Sequence, residues 1–197
     1  MKWNLKEKRK LKTEKYILIK SGECELKTEK EILIHPFKPI IFPESELLIL
    51  GTFPSIKSFE NNFYYSHPRN QFWDILSIIF NDKKPETATE KTDFLKKHKL
   101  ALWDAVCECK RMEGNSRDDN LEILKPCDIE GLLSRFPNIK KIAVTSRTAE
   151  KVIKKHFKNS KLSILNALIY LPSPSPLNAR MNIKQKAETW KKLLELT

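Results

Sequence analysis

Leu47-Leu-Ile-Leu-Gly-Thr-Phe-Pro-Ser55 is the stretch on which the fold turns. Four apolar residues in a row, closed by a glycine and a proline, read as a short strand buried on both faces, the kind found in parallel sheets. Pro36, Pro39 and Pro43 lead into it. Downstream, Phe72, Ile75, Leu76, Ile79 and Phe80 fall on one helical stripe. A second helix is predicted over Thr87 to His98, a strand over Leu100 to Trp103, and a short helix over Ile129 to Phe136. Ile142 to Val144 reads as a third strand. A helix follows with Ala149, Val152, Ile153 and His156 on its apolar face, His156 among the core residues. Leu162 to Leu171 holds a fourth strand, and Ile183, Ala187, Trp190 and Leu194 line a last helix. Strands alternating with helices imply an α/β chain with a parallel sheet covered on both faces. Ligands of such sheets sit at the carboxyl ends of the strands, which directs attention to the loops after Leu50, Trp103, Val144 and Leu171.

Composition narrows the function. The 197 residues carry 37 Lys and Arg against 25 Asp and Glu, a formal net charge of +12. An excess of this size points to a polyanionic partner, nucleic acid before an acidic membrane surface, while a solubility role stays open. The longest apolar runs are far shorter than the roughly 20 residues that span a bilayer. Met1 to Lys10 has no apolar core of a secretory signal. Four cysteines are few for a disulfide scaffold and suit a reduced compartment. Cys107, Cys109, Cys127 and Cys24 do not have the spacing of an iron–sulfur run, and the four histidines show no metal spacing. With four glycines and no glycine-rich phosphate loop, neither a cofactor nor a metal is expected. Residues 1–35 read as a basic extension, with Tyr16 to Lys20 and Ile32 to His35 as short strands and Ser21-Gly22 as a turn. It is a hairpin on the main domain, an arm on DNA, or an ordinary solvated extension; residues 36–197 form the main domain.

Two loops carry the chemistry. In the first, Gly51 and Pro54 bracket a tight turn that can present backbone N–H groups to an anion, and Tyr64-Tyr-Ser-His-Pro-Arg-Asn-Gln-Phe-Trp73 follows. The tyrosines offer a stacking surface for a base or simply pack. Asn70 can orient a water or a heterocycle edge, or sit in the first turn of the helix. In the second, Leu171-Pro-Ser-Pro-Ser-Pro-Leu-Asn-Ala-Arg180, three prolines stiffen a segment whose Ser173 and Ser175 hydroxyls can grip phosphate. Leu177 stands apart from any apolar run, as a wedge into a base stack does; a rigid surface connector is the plainer alternative. Asp104 is either an auxiliary carboxylate or a turn residue.

Together these loops resemble the uracil-DNA glycosylase superfamily, most of all its hypoxanthine-DNA (deoxyinosine) glycosylase branch. The likeness runs over roughly residues 36 to 196 and includes Ala101-Leu-Trp-Asp104 and the last, Trp-bearing helix. It implies a three-layer α/β/α sandwich around a four-stranded parallel sheet. The uracil-specific relatives hold the attacking water with Asn or Asp at the third position of the first motif; here that residue is Phe53. The hypoxanthine branch uses the Asn of His-Pro-x-Asn, which is Asn70, making it the catalytic candidate. Tyr65 takes the place of the aromatic that stacks on the flipped base, and Gly51, Phe53 and Ser146 join it around that base. Leu177 matches the intercalating residue. Ser55, Ser173 and Ser175 face phosphates, and Asn178 and Arg180 the opposite base or backbone. Where relatives often carry Asn-Gly, Thr145-Ser146-Arg147 stands, and the Lys110 to Asn120 loop also departs from the pattern.

The resulting expectation is a monomeric, monofunctional repair glycosylase, without a cofactor, acting on a deaminated base in DNA, hypoxanthine first and uracil second. It would work in the cytoplasm beside the nucleoid, or in a nucleus, and not at a membrane. The competing expectations are a nucleic-acid-binding module that kept the fold without the catalysis, and an enzyme of free nucleosides.

Overall fold

The computed structural model describes residues 31–111, 118–158 and 168–196. Its strands are β1 (Ile32–Ile34), β2 (Leu47–Gly51), β3 (Leu100–Asp104), β4 (Val106–Arg111), β5 (Leu121–Pro126), β6 (Lys141–Val144) and β7 (Leu168–Tyr170); all but β4 and β5 fall on the expected apolar runs. The helices are α1 (Ile56–Glu60), α2 (Phe72–Ile79), α3 (Ala88–Lys97), α4 (Ile129–Arg135), α5 (Arg147–His156) and α6 (Ile183–Trp190). Residues 1–30, with the strand expected at Tyr16 to Lys20 and the turn at Ser21-Gly22, lie outside the described residues.

The main sheet is parallel, in the order β3-β2-β6-β7. Every residue of β2 and β3 is buried, which is why both read as unbroken apolar runs rather than as alternation. Helices flank this sheet, as the α/β/α expectation requires. The chain leaves β2 toward β3 and later crosses to β6 on the other side of β2. Loops leaving the carboxyl ends of β2 and β6 therefore diverge and open a crevice between them.

The helices follow their sequence signals. The α2 stripe buries Phe72, Trp73, Ile75, Leu76 and Ile79, and α6 packs across it, with the Trp190 and Phe72 rings 5.7 Å apart edge to face. Thr87 and Glu90 form a capping box that starts α3, as Asn182 and Gln185 do for α6. Two expected core positions are corrected. After Trp190 the chain tightens into a 3-10 helix over Lys191–Leu196. With three residues per turn, Leu193 rather than Leu194 comes round to the core: it is fully buried and Leu194 is exposed. His156 is also exposed; α5 ends there, and Phe157 turns inward in its place.

A second sheet was not expected. It is antiparallel, in the order β1-β4-β5, with Ile32 opposite Lys110 and Cys109 opposite Ile123. Of the segment read as atypical, Lys110 and Arg111 end β4 and Asp118–Asn120 form a 3-10 helix that leads into β5; residues 112–117 lie outside the described residues. Cys107 in β4 and Cys127 just beyond β5 are joined by a disulfide, their Cα atoms 4.8 Å apart. The low cysteine count gave no sign of this bridge: 20 residues separate the pair in sequence, and only the β4–β5 hairpin brings them together. Cys109 is a free, buried cysteine, and burial pushes its thiol up to about 11.

Candidate active site

The carboxyl ends of β2, β3 and β6 open into a cleft of about 780 Å³, a volume typical of ligand sites. Gly51 to Ser55, Thr145 to Thr148 and Ser173 to Asn178 line it, together with Tyr64, Tyr65, His67, Arg69, Asp104 and Asp118.

Gly51 stands at the floor because nothing larger fits. A Cβ there would lie 2.2 Å from Asp104 Oδ1 and 2.8 Å from the Tyr65 hydroxyl. Asp104 is the last residue of β3, directly opposite Gly51 in the parallel register, and is 4% exposed. Its Oδ2 lies 2.8 Å from His35 Nε2. Oδ1 has no hydrogen-bond partner among the described residues and lies over Gly51 at the cleft floor, so it is the oxygen left to the cleft. His35 reaches this position because its own N–H bonds to Cys107 O, continuing the β1–β4 pairing.

Tyr65 covers the same region from above. It is held at φ +49°, in the left-handed region, and its ring stacks on Phe72 at 3.9 Å with an interplanar angle of 1°. Its hydroxyl is 2.9 Å from Thr145 Oγ1. Burial first, and the Asp104 carboxylate second, push both the Tyr64 and Tyr65 phenols far above their ordinary range, so both stay protonated. Phe53 is buried, edge to face with His35 and 5.7 Å from the Arg111 guanidinium, which also donates to Pro54 O.

A second polar group lies beside it. Thr52 Oγ1 donates to Asp118 Oδ2 at 2.6 Å and is hydrogen-bonded to Ser146 Oγ. Ser146 also caps α5, accepting from Ala149 N–H at 2.9 Å. Burial pushes the Asp118 carboxyl up, against the hydroxyls of Thr52 and Ser146 that favour its charge. The Arg147 guanidinium lies 3.4 Å over the Tyr170 ring and pairs with Glu150 at 2.7 Å.

The rim is the proline–serine loop. Ser173 Oγ accepts from Ser175 N–H and Ser175 Oγ from Leu177 N–H, both at 3.2 Å, while Asn178 Nδ2 donates to Ser173 O. Leu177 is 68% exposed at its tip. From behind, Trp190 Nε1 donates to Pro172 O at 3.0 Å and Gln71 N–H to Pro174 O at 3.0 Å. Lys186, fully buried, directs Nζ at Gln71 Oε1 at 2.8 Å and at Ser175 O at 3.4 Å. Burial lowers its pKa.

Of the residues singled out from sequence, Gly51, Phe53, Ser55, Tyr65, Ser146, Ser173, Ser175, Leu177 and Asn178 converge on this one cleft. Ser55 also caps α1, accepting from Ser58 N–H. Arg180 is exposed and outside the lining. Asn70 is also outside the lining, although His67 and Arg69 beside it belong to it. Its Oδ1 accepts from Phe72 N–H at 3.0 Å, pinning the amide at the start of α2. Sequence reading missed His35, Thr52, Asp118 and Arg147. Arg147 stood in the departure from the relatives' Asn-Gly; no local signal marked His35 or Asp118, which reach the site through the unexpected sheet. No group of three or more metal-capable side chains occurs among the described residues, and no helix among them is long and apolar enough to cross a membrane.

Comparison with known proteins agrees with this architecture. A hypoxanthine DNA glycosylase of Methanosarcina barkeri is 41% identical over 80 residues, 40% of this chain and 50% of that protein, so the match spans half of its length. One from Methanosarcina acetivorans is 28% identical over 156 residues, 77% of this chain and 92% of that protein. A Methanosarcina acetivorans protein solved by NMR superposes with a TM-score of 0.68 at 24% identity, over 83% of this chain and 99% of that one, a likeness of fold. The family model of the uracil DNA glycosylase superfamily matches residues 39–194, which takes in the whole parallel sheet and both cleft loops: the chain belongs to the uracil-DNA glycosylase superfamily.

Proposed function

We propose that the chain hydrolyses the N-glycosidic bond of a deaminated base flipped out of DNA, with hypoxanthine the first substrate and uracil the second. The observation that carries this reading is the cleft itself. A buried carboxylate, a fixed tyrosine ring and a cluster of hydroxyls sit at the strand ends, and an exposed leucine on a braced loop stands at the mouth. The names of the two Methanosarcina relatives favour hypoxanthine.

Glycosidic cleavage passes through a cationic sugar while negative charge grows on the leaving base. A dry pocket that donates hydrogen bonds to that base lowers the barrier without a strong acid. On this reading Tyr65, Gly51, Phe53 and Ser146 take the base. Ser55, Ser173, Ser175, Asn178 and Arg180 meet the DNA, and Leu177 fills the gap left by the flipped nucleotide. Phe53 offers nothing to a water. Asn70 Oδ1 accepts from Phe72 N–H, which fixes the amide and leaves Nδ2 as an oriented donor; an amide oxygen can orient a water but is too weakly basic to take its proton. Among the described residues no lysine lines the cleft, in keeping with water attack rather than a Schiff base. The protein acts as a monomer.

The test is single-turnover excision on a panel of oligonucleotides, each with one hypoxanthine, uracil or mismatched thymine, scored by strand scission after alkali. Scission at hypoxanthine ahead of uracil is the expected result. The absence of any abasic site, with DNA binding intact, would instead establish the second reading, a binding module, which Phe53 and the engaged Asn70 carbonyl favour.

A further inference from the structure

We infer that Asp104, oriented by His35, is the carboxylate that faces the reacting sugar and takes the proton of the attacking water. The inference rests on the glycosylase reading above and supplies the acceptor that Phe53 and Asn70 do not. Asp104 lies at a strand end, lines the cleft and is 4% exposed. One of its oxygens is spoken for by His35 Nε2 at 2.8 Å, and the other, leaning over the bare Cα of Gly51, has no partner among the described residues. A carboxylate so nearly buried, with one oxygen fixed and the other left to the cleft, is placed for a water or substrate to meet it.

His35 is built to hold that oxygen still. Its side chain is 2% exposed. Nδ1 lies 3.2 Å from Phe37 N and 3.0 Å from Phe37 O, so backbone fixes the ring on the side away from Asp104. Phe37 and Phe53 meet it edge to face at 5.7 Å, and Tyr64 lies at 6.1 Å. His35 does not line the cleft; it is a positioning residue, and Asp104 the catalytic one.

In the step, the water oxygen bonds to C1′ as the C1′–N bond breaks and its electron pair leaves with the base. One water proton passes to Asp104 Oδ1 and later to solvent, and the departing base takes up a proton from solvent. Before proton transfer the anionic oxygen also faces the developing cationic sugar, the charge order that lowers the barrier.

The experiment is single-turnover excision of hypoxanthine by D104N, H35Q and H35F beside wild type, with duplex affinity and melting temperature measured for each. D104N should lose at least about 10²-fold in rate, the usual worth of a placed base, with duplex affinity within about threefold of wild type. H35F should lose about 10-fold or more, and H35Q, whose amide can still donate where Nε2 did, should recover most of it. A structural histidine predicts otherwise: both His35 variants melt earlier and, below melting, cut at the wild-type rate. D104N within about threefold of wild type, or H35Q and H35F equally slow, overturns the assignment. If D104N does not fold, the two His35 variants decide it. Wild type inactive on every substrate fails the glycosylase reading and takes this one with it; wild type active beside an active D104N fails this one alone.

Discussion

Asp104 and Leu177 line the same cleft, yet one is 4% exposed and the other 68%. The floor around Asp104 is made of strand ends, placed by the register of a fully buried parallel sheet. The rim around Leu177 is made of a loop, braced by prolines, by serines that bond their own backbone, and by one lysine from behind. On the proposed reading, a change at the floor moves atoms that meet the reacting bond, and a change at the rim alters how DNA is held and opened. The two regions therefore predict different kinds of loss.

The largest expected effect belongs to the rim and to charge. With about 4–6 phosphates contacted, the log–log slope of affinity against salt should be near −4 to −5. Raising salt from about 50 to 200 mM then costs roughly 10²–10³ in duplex affinity, while the rate of the bound complex holds. A slope shallower than about −1 breaks the assignment of the +12 excess to DNA.

Asn70 sits between the two regions and sharpens the comparison. Asn70→Ala should slow excision by about 10²–10³, the cost of one oriented donor. Asn70→Asp keeps the acceptor that serves Phe72 N–H but removes the donor, and should be as slow. An active Asn70→Asp would show that the Nδ2 donor is not what Asn70 contributes.

At the floor, Gly51→Ala must displace Asp104 or Tyr65, since the added carbon would meet both. A shift of the order of 1 Å at such a site costs about 10²-fold in rate, with duplex affinity little changed. Single-turnover rates beside a binding titration check this, and a loss in affinity alone would break the division between floor and rim.

The smallest effect is the most selective. Leu177→Ala should slow excision of inosine opposite cytosine by about 10-fold, less at a mismatch, and not on single strands, because unstacking costs a few kcal/mol only where the base is paired. Its melting temperature should match wild type, since so exposed a side chain holds no core together. Equal losses on all three substrates would falsify the wedge.

The parts legible in the sequence are those whose signal is local. β2, β3 and β6 are short apolar runs, and α2 and α3 carry a stripe and a capping box within their own length. The second sheet was hidden because its strands are half-exposed and charged: β5 alternates exposed and partly buried residues, and β4 meets it across register shifts at Glu108. The site divides along the same line. Gly51, Tyr65 and the proline–serine loop stand in compact motifs. His35 lies 69 residues from Asp104 and Thr52 lies 66 from Asp118, distances that only the fold closes. Leu194 and His156 were misplaced for a smaller reason: each lies where an α-helix stops, and the 3.6-residue period fails there.

Lys186 bears on time rather than on energy. Its buried ammonium reaches Gln71 and Ser175 together, and Gln71 bonds Pro174 as well. The segment that carries Asn70 and the segment that carries Leu177 are thereby pinned to one post and cannot wander apart. On the proposed reading, an encounter with DNA finds these two segments already in place, and neither has to be assembled before capture.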